Sequence, residues 1–315
     1  MNVVVVGTGF GGRVVAGAYR DADCAVEVVS PRDAEAVSRA VAAGADLVSV
    51  HSPPFLHHTH VMAALDRGCA VLCDKPFGRD AAEARSMRDR AREDKALNFL
   101  NFEFRRFPAR LKARSLVRDD AIGTPQHVSW LFVGNGLRPQ LHRWLFDREL
   151  AGGWIGAWGS HCIDTLRWLL DSEVATCSAV LRTDTGSRPD AQGVEHRSTA
   201  EDAFSAWFTM ENGCTASVDT AYSAPVALPQ TVHVLGSDGA IEIHNDSTVL
   251  LRRPREAPET FLFSLGAGDP HLPGLGPWLA EVAKAVGSGV QLSPSFDDGL
   301  AVANVMEQMR ARSNK

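Results

Sequence analysis

Four consecutive valines, Val3-Val4-Val5-Val6, stop at Gly7-Thr8-Gly9-Phe10-Gly11-Gly12, and the chain resumes as Arg13-Val14-Val15-Ala16-Gly17-Ala18. A continuous β-branched run reads as a buried parallel strand, and the small and apolar residues after the glycines read as a helix. Strand, glycine turn and helix in that order offer unpaired backbone N–H groups to an anion. Gly7 permits the tight turn, Gly9 lets backbone approach a pyrophosphate, and Gly12 lets helix and strand pack closely. Residues Gly7, Thr8, Gly9, Phe10, Gly11 and Gly12 are therefore read as a dinucleotide-binding turn; the plain alternative is a glycine-rich turn without a ligand.

The alternation continues for a hundred residues. Ala25 to Val29 is a strand, Ala34 to Ala43 a helix, Asp46 to Val50 a strand, and Thr59 to Arg67 a helix closed by Gly68. Val71-Leu72-Cys73 is the next strand, Arg79 to Lys95 a charged amphipathic helix, and Leu97 to Leu100 a further strand. Such a pattern predicts a parallel sheet with right-handed crossovers. Open sheets of this kind bind ligands just outside the carboxyl ends of their strands. Proline cannot continue a central strand, so the run ending Asp74-Lys75-Pro76 puts Lys75 at such an end. A lysine there is otherwise a solvated loop charge.

At the end of the second strand an acid would hold the ribose 2′-hydroxyl of NAD, whereas a serine and an arginine suit the 2′-phosphate of NADP. Ser30 and Arg32 favour NADP; Asp33 is the acid if the cofactor is NAD.

Composition bounds the rest. The 315 residues, 45% hydrophobic and 22% charged, are enough for two domains. A net charge of -6, with no basic stripe interleaved with aromatics, argues against nucleic acid as a partner. No apolar run reaches membrane-spanning length and Met1-Asn2-Val3 leads straight into a strand, so the expected location is cytoplasmic, away from membranes. The six cysteines form no Cys-x-x-Cys pair and no zinc-finger spacing, so no metal is expected. Cys69 and Cys73 flank one strand, roughly 13 Å apart, beyond disulfide reach; all six read as small buried thiols.

Gly7-Thr8-Gly9-Phe10-Gly11-Gly12, Ser52-Pro53-Pro54-Phe55-Leu56-His57, Asp74-Lys75-Pro76 and Phe104-Arg105-Arg106-Phe107-Pro108 together resemble the amino-terminal half of the Gfo/Idh/MocA oxidoreductases, the glucose-fructose oxidoreductase and inositol dehydrogenase relatives. Ala151-Gly152-Gly153-Trp154-Ile155-Gly156-Ala157-Trp158-Gly159-Ser160-His161 resembles that family's entry into its catalytic helix, and Ala200-Glu201-Asp202, Asn212-Gly213 and Gly236-Ser237-Asp238-Gly239 its sheet hairpins. The resemblance covers nearly the whole chain. It implies an α/β protein with an amino-terminal Rossmann domain and a carboxyl-terminal α/β domain whose large, mainly antiparallel open sheet often joins subunits, here as a homodimer or homotetramer. It implies hydride transfer between a nicotinamide and a sugar-like or cyclitol-like small molecule. Lys75, before a proline that is often cis, and His161 would be the acid/base pair. Ser52, Pro53, His57, Asp74, Lys75 and Pro76 would join the glycine turn, Ser30 and Arg32 around the cofactor, and Lys75, Arg105, Trp158 and His161 would meet the substrate.

Domain boundaries are expected at 1–117 and 118–315, with a closing helix at 298–312 that folds back on the first domain. Strands are expected at Val128–Val133, Thr176–Arg182, Ala203–Met210, Thr215–Tyr222, Thr231–Leu235 and Ala240–Ile243, and a helix at Trp278–Val286. Asp184 to Ser198 reads as a polar loop and Arg252 to Pro277 as irregular chain that could border a cleft.

Two departures from the family stand out. Ala157 occupies the position, one helical turn before His161, where the family commonly has an aspartate. Another side chain substitutes (Asp164, His142 or Arg105), the substrate carries fewer hydroxyls, or activity is impaired; Trp154 and Trp158 are either an apolar wall or stacked core residues. The stretch before Asp46 is also short by one strand, so Ala25–Val29 is either the family's second strand or its third with the second deleted. The favoured function is an NAD(P)-dependent oxidoreductase. The alternatives are a catalytically silent regulatory member and a redox-neutral lyase or hydrolase that retains its nicotinamide.

Overall fold

The computed structural model describes residues 1–311, grouped into two compact units: Met1–Arg106 with Ala267–Asn304, and Phe107–Gly266 with the described residues from Val305. The first opens on β1 (Asn2–Val6), whose last four residues are buried. The glycine turn leads into a wide π-type turn, Gly11–Val15, that continues as α1 (Ala16–Asp21). Then come β2 (Ala25–Val29), α2 (Ala34–Ala42), β3 (Leu47–Val50), α3 (His57–Leu65), β4 (Ala70–Cys73), α4 (Ala81–Glu93) and β5 (Asn98–Leu100). The strands form one parallel sheet in the order β2-β1-β3-β4-β5. β3 and β4 are buried throughout, as parallel strands covered on both faces must be.

The adjacency of β2 to β1 decides between the two readings of Ala25–Val29. Val3 pairs with Val26 and Val6 with Val29, and Gly7 N–H donates to the Val29 carbonyl at 3.0 Å. β2 is thus the strand beside the glycine turn and the edge of the sheet, and its alternating exposure is that of an edge strand.

The second unit begins with α5 (Pro108–Arg118), followed by β6 (Pro125–Val133), the buried helix α6 (Ser160–Leu170), β7 (Val174–Arg182), β8 (Ser187–Pro189), β9 (Glu195–Arg197), β10 (Ala203–Met210), β11 (Thr215–Ala221), β12 (Thr231–Gly236), β13 (Ala240–His244), β14 (Thr248–Arg252) and β15 (Glu259–Leu262). Eight strands form a sheet in the order β15-β14-β13-β12-β6-β11-β10-β7, antiparallel except where β6 meets β11. Alternation along the strands makes its two faces unlike. One buries Val128, Trp130, Phe204, Phe208, Val218, Val234 and Ile241; the other exposes Val180, Trp207, Leu131, Leu235 and Leu262.

The supposed loop Asp184–Ser198 contains the hairpin β8–β9, and β15, paired to β14, extends the sheet into chain read as irregular. These short strands pair within a few residues of one another, and their polar sequences carry little period-two signal. α7 (Leu272–Ser288) starts six residues before the expected Trp278 because Pro273 falls in its first turn, where proline lacks nothing the helix needs.

The boundary between units falls at Arg106 rather than at residue 117. α5 packs on α6, β13 and β14 of the second unit. Leu275, Trp278, Leu279 and Val282 of α7 instead join Val3, Val5, Tyr19, Leu72 and Phe99 in one buried cluster of the first. The closing helix α8 (Phe296–Ala311) contributes its residues through Asn304 to the first unit, with Phe296 4.5 Å from Phe77 between ring centroids. Residue 312, expected as its end, lies outside the described residues. All six cysteines are buried, and among the described residues no helix is long and apolar enough to cross a membrane.

Candidate active site

The first unit gathers its candidate residues at the carboxyl ends of β1, β3 and β4. Gly7 has φ +153°, and a Cβ there would fall 2.7 Å from the His51 carbonyl oxygen. A Cβ on Gly11 would meet the His51 Cβ at 2.9 Å, and one on Gly12 the Gly7 carbonyl at 3.3 Å. Gly9 has nothing within 4 Å and is exposed beside Thr8. Three glycines are therefore packing requirements, and the fourth keeps an open approach to the backbone. That arrangement fits a dinucleotide whose diphosphate reaches the turn.

Beyond β2, Ser30 Oγ accepts from Arg32 N–H at 3.4 Å and Arg32 is exposed. Asp33 Oδ1 caps α2 by accepting from Ala36 N–H at 2.9 Å, so this acid already has a structural task.

The Lys75–Pro76 peptide is cis, as the resemblance implies. Behind it lies a buried network. The Lys75 backbone N–H donates to Asp74 Oδ1 at 2.9 Å, as does Asn101 Nδ2 at 3.2 Å, and His51 Nδ1 lies 3.1 Å from Asp74 Oδ2. Burial alone would raise the Asp74 carboxyl, but the hydrogen bond and charge of His51 and the nearby Lys75 outweigh it and hold it well below the usual carboxylate range. Asp74 is thereby an anchor beneath Lys75. His51 Nε2 is 2.8 Å from Ser49 Oγ, which completes a serine–histidine–aspartate series. Ser49 is fully buried against Tyr19 Oη at 3.2 Å, however, so this series is a core brace and not a nucleophile.

His57, expected to join the cofactor contacts, has its ring nitrogens placed against the protein's own backbone. It is fully buried, with Nε2 2.7 Å from the Ser52 carbonyl and Nδ1 3.1 Å from the Pro76 carbonyl, and so ties the loop after β3 to the lysine turn. Burial pushes it down to about 4 against the opposing pull of Asp74 and the two carbonyls. The unfolded chain protonates such a ring near 6.5, so stability should be unaffected above that pH and fall as pH drops from about 6.5 toward about 4, by about 1.4 kcal/mol per unit. Urea midpoints at pH 7.5 and 5 should show this loss, and His57→Gln should reduce it. Ser52, also buried, places its Oγ 3.0 Å from His60 Nδ1.

Arg105, expected to meet substrate, has partners within the protein. It is buried, and its guanidinium donates to Ser293 Oγ and Asp298 Oδ1, both at 2.8 Å.

His161 and Trp158 lie in the second unit. A π-type turn, Ile155–Gly159, runs directly into α6, and His161 is its buried second residue. The turn is fastened by Glu201, which accepts from Ile155 N–H at 3.1 Å; Gly153, at φ +112°, leaves no room for a Cβ beside that carboxylate. Trp158 is a core residue of an aromatic cluster, edge-on to Trp130 at 5.3 Å, against Phe132 at 5.1 Å and stacked on Trp154 at 6.0 Å. It is buried, as the reading of stacked core residues expects. The three candidates to replace an aspartate at 157 have these neighbours. Asp164 is buried 3.8 Å from Arg167, His142 stacks on His196 at 4.8 Å, and Arg105 is held by Asp298.

Two residues escaped the sequence reading. Glu103, in the turn after β5, and His271, just before α7, pair at 2.8 Å beside Phe10. No local spacing announces a pair 168 residues apart.

A parallel sheet with an open glycine turn and a lysine at the carboxyl end of a central strand, followed by a separate open-sheet unit, defines a dinucleotide-binding α/β protein of the two-unit oxidoreductase type. The chain belongs to the GFO/IDH/MocA family: a model described as oxidoreductase family, NAD-binding Rossmann fold, matches residues 26–102, and the family's C-terminal domain model matches residues 111–242. Levoglucosan dehydrogenase of Pseudarthrobacter phenanthrenivorans is 25% identical over 293 residues, covering 82% of this chain and 75% of its own. Inositol 2-dehydrogenase 3 of Saccharopolyspora erythraea is 27% identical over 266 residues, covering 77% and 73%. A solved levoglucosan dehydrogenase in complex with NADH and levoglucosan superposes with a TM-score of 0.87 over 99% of this chain and 97% of that one, at 21% identity, which shows the shared fold.

Proposed function

We propose that the protein is an NAD(P)-dependent dehydrogenase or reductase that moves a hydride between a nicotinamide and a hydroxyl-bearing or keto carbon of a sugar-like or cyclitol-like molecule. The observation that carries this is Lys75 on its cis-proline turn, anchored through Asp74 at the carboxyl end of β4. A bound nicotinamide supplies the hydride acceptor or donor. The chain's own task is the proton: oxidising an alcohol requires the hydroxyl proton to leave, and a positioned base contributes ~10²–10⁴-fold. Lys75 and His161 share it, with the lysine ammonium steadying the developing alkoxide. Relatives named for levoglucosan and inositol support a polyhydroxylated ring as the substrate class. A screen of polyols, sugars and ketosugars with both nicotinamides tests the reading; absence of turnover with every substrate, despite cofactor binding, would favour the silent regulatory member.

NADP is the favoured cofactor, because Ser30 and Arg32 follow the strand beside the glycine turn while Asp33 caps α2. Fluorescence titration should show NADPH binding more tightly than NADH by about tenfold, worth about 1.4 kcal/mol. Arg32→Ala should abolish that preference and leave NADH affinity unchanged; equal affinities in the wild type would remove the assignment.

The reading also places the protein in the cytoplasm as a homodimer or homotetramer. The sheet face exposing Val180, Trp207, Leu131, Leu235 and Leu262 supports pairing of two copies. Light scattering should find a dimer or larger, and Trp207→Glu should shift it toward monomer.

A further inference from the structure

Glu103 is a carboxylate in an unusual place. Its side chain is 1% exposed, and its Oε1 lies 2.8 Å from His271 Nδ1, whose own side chain is 36% exposed. A carboxylate within hydrogen-bond distance of an imidazole favours the imidazolium form of that ring. His271 is held on three sides. Its ring meets Phe10 edge-on at 5.2 Å and stacks at 6.0 Å over Phe104, and its backbone N–H donates to Asp269 Oδ1 at 3.0 Å. Phe10 belongs to the glycine turn, directly after the open Gly9. The two nitrogens of an imidazole diverge, so with Nδ1 on Glu103 the Nε2 edge is turned away from the buried carboxylate.

We propose that His271, charged and oriented by Glu103, is a cofactor-binding residue that donates from Nε2 to the diphosphate of the nicotinamide dinucleotide across the glycine turn. This rests on the reading of that turn as a dinucleotide site. The anion and the cation suit each other, and a charge-assisted hydrogen bond is about twice as strong as a neutral one. The groups facing His271 are Glu103 from the turn after β5, Asp269 from its own loop and Lys75 from the turn after β4; His51 also meets the Phe10 ring, at 6.3 Å. Burial lowers the His271 pKa, and the hydrogen bond and charge of Glu103 outweigh this, with Lys75 opposing, so the ring titrates above its ordinary value. Arg106, on the same turn as Glu103, is engaged with Glu281 and Trp278. A group whose charged form binds the ligand gives affinity at low pH and loses it as pH rises through its pKa.

The test is a titration of the full chain with NADH by fluorescence from pH 5.5 to 9, NADH being chosen because a 2′-phosphate would itself titrate in this range. Wild-type affinity should fall about tenfold as pH rises, the size expected from losing one charge-assisted hydrogen bond. His271→Gln should bind at the weak, high-pH level and be flat with pH. Glu103→Gln should move the midpoint to lower pH; if that variant does not fold, the wild type and His271→Gln decide between them, with the His271 titration followed by NMR in the absence of cofactor. Binding that is flat with pH and equal in His271→Gln overturns the proposal while leaving the cofactor site standing. Affinity that rises with pH also overturns it, since a neutral ring would then be accepting from a ribose hydroxyl. Failure of the wild type to bind either nicotinamide overturns the dinucleotide reading and this proposal with it.

Discussion

Lys75→Met is expected to lower kcat/KM by ~10²–10⁴-fold, the range spanned by one positioned proton-transfer group, while the NADH dissociation constant stays within about threefold, since the side chain lost is not one of the groups assigned to the diphosphate or ribose. Methionine keeps the unbranched apolar length of the lysine stem and removes only the ammonium. The turn itself should survive, because its fastenings are backbone and neighbour contacts. The Lys75 backbone N–H still reaches Asp74, and Asp74 keeps His51 and Asn101. Thermal unfolding should therefore move little, by an amount typical of a surface change, about 0.5 kcal/mol or less. Turnover that persisted at the wild-type level would remove Lys75 from the chemistry. His161→Ala should give a second large loss of turnover if the two residues share the proton.

The second large effect separates two glycines of the same turn. Gly7→Ala should destabilise the protein by about 2–4 kcal/mol, because the new Cβ meets backbone that cannot swing aside and the conformation is one that side chains rarely adopt. The clash is 2.7 Å from the His51 carbonyl oxygen at φ +153°. Since His51 also braces Asp74, displacing it should disturb the lysine turn. Gly9→Ala meets nothing within 4 Å, so stability should change by no more than about 0.5 kcal/mol. Yet its methyl group would occupy the approach that a diphosphate needs, and NADH affinity should fall by about tenfold or more. Melting temperatures paired with NADH titrations distinguish the two; a Gly9→Ala protein that binds NADH normally would place the diphosphate elsewhere.

The two substitutions also show where the sequence was readable. Gly7, Gly9 and Gly12 could be given roles from spacing alone, because a strand, a turn and a helix that are consecutive in the chain are consecutive in space. The same holds for the buried runs of β3 and β4, and for most strands of the second sheet, whose alternation survives as the contrast between Trp130 and Leu131 on adjacent positions. Family resemblance pointed to Asp74, Lys75 and His161, but the network bracing Asp74 was not legible. Tyr19 from α1, Ser49 and His51 from the end of β3, and Asn101 from the end of β5 reach Asp74 across the sheet, and nothing in the sequence links those elements. The internal partners of His57 and Arg105 were hidden for the complementary reason. Each sits in a motif that suggests ligand contact, and only the folded chain shows which of its polar atoms meet other parts of the protein.

What the sequence by itself determined is the order of the strands and helices of the first unit and the identity of its glycine turn, since local steric and periodic signals need no distant partner. Only the tertiary structure decided that Ala25–Val29 lies against β1, that α7 completes the first unit's core, and that Glu103 and His271 meet beside Phe10. The physical reason is the same in all three cases: burial and charge pairing act between surfaces brought together by folding, and the chain carries no short-range record of which surfaces those will be.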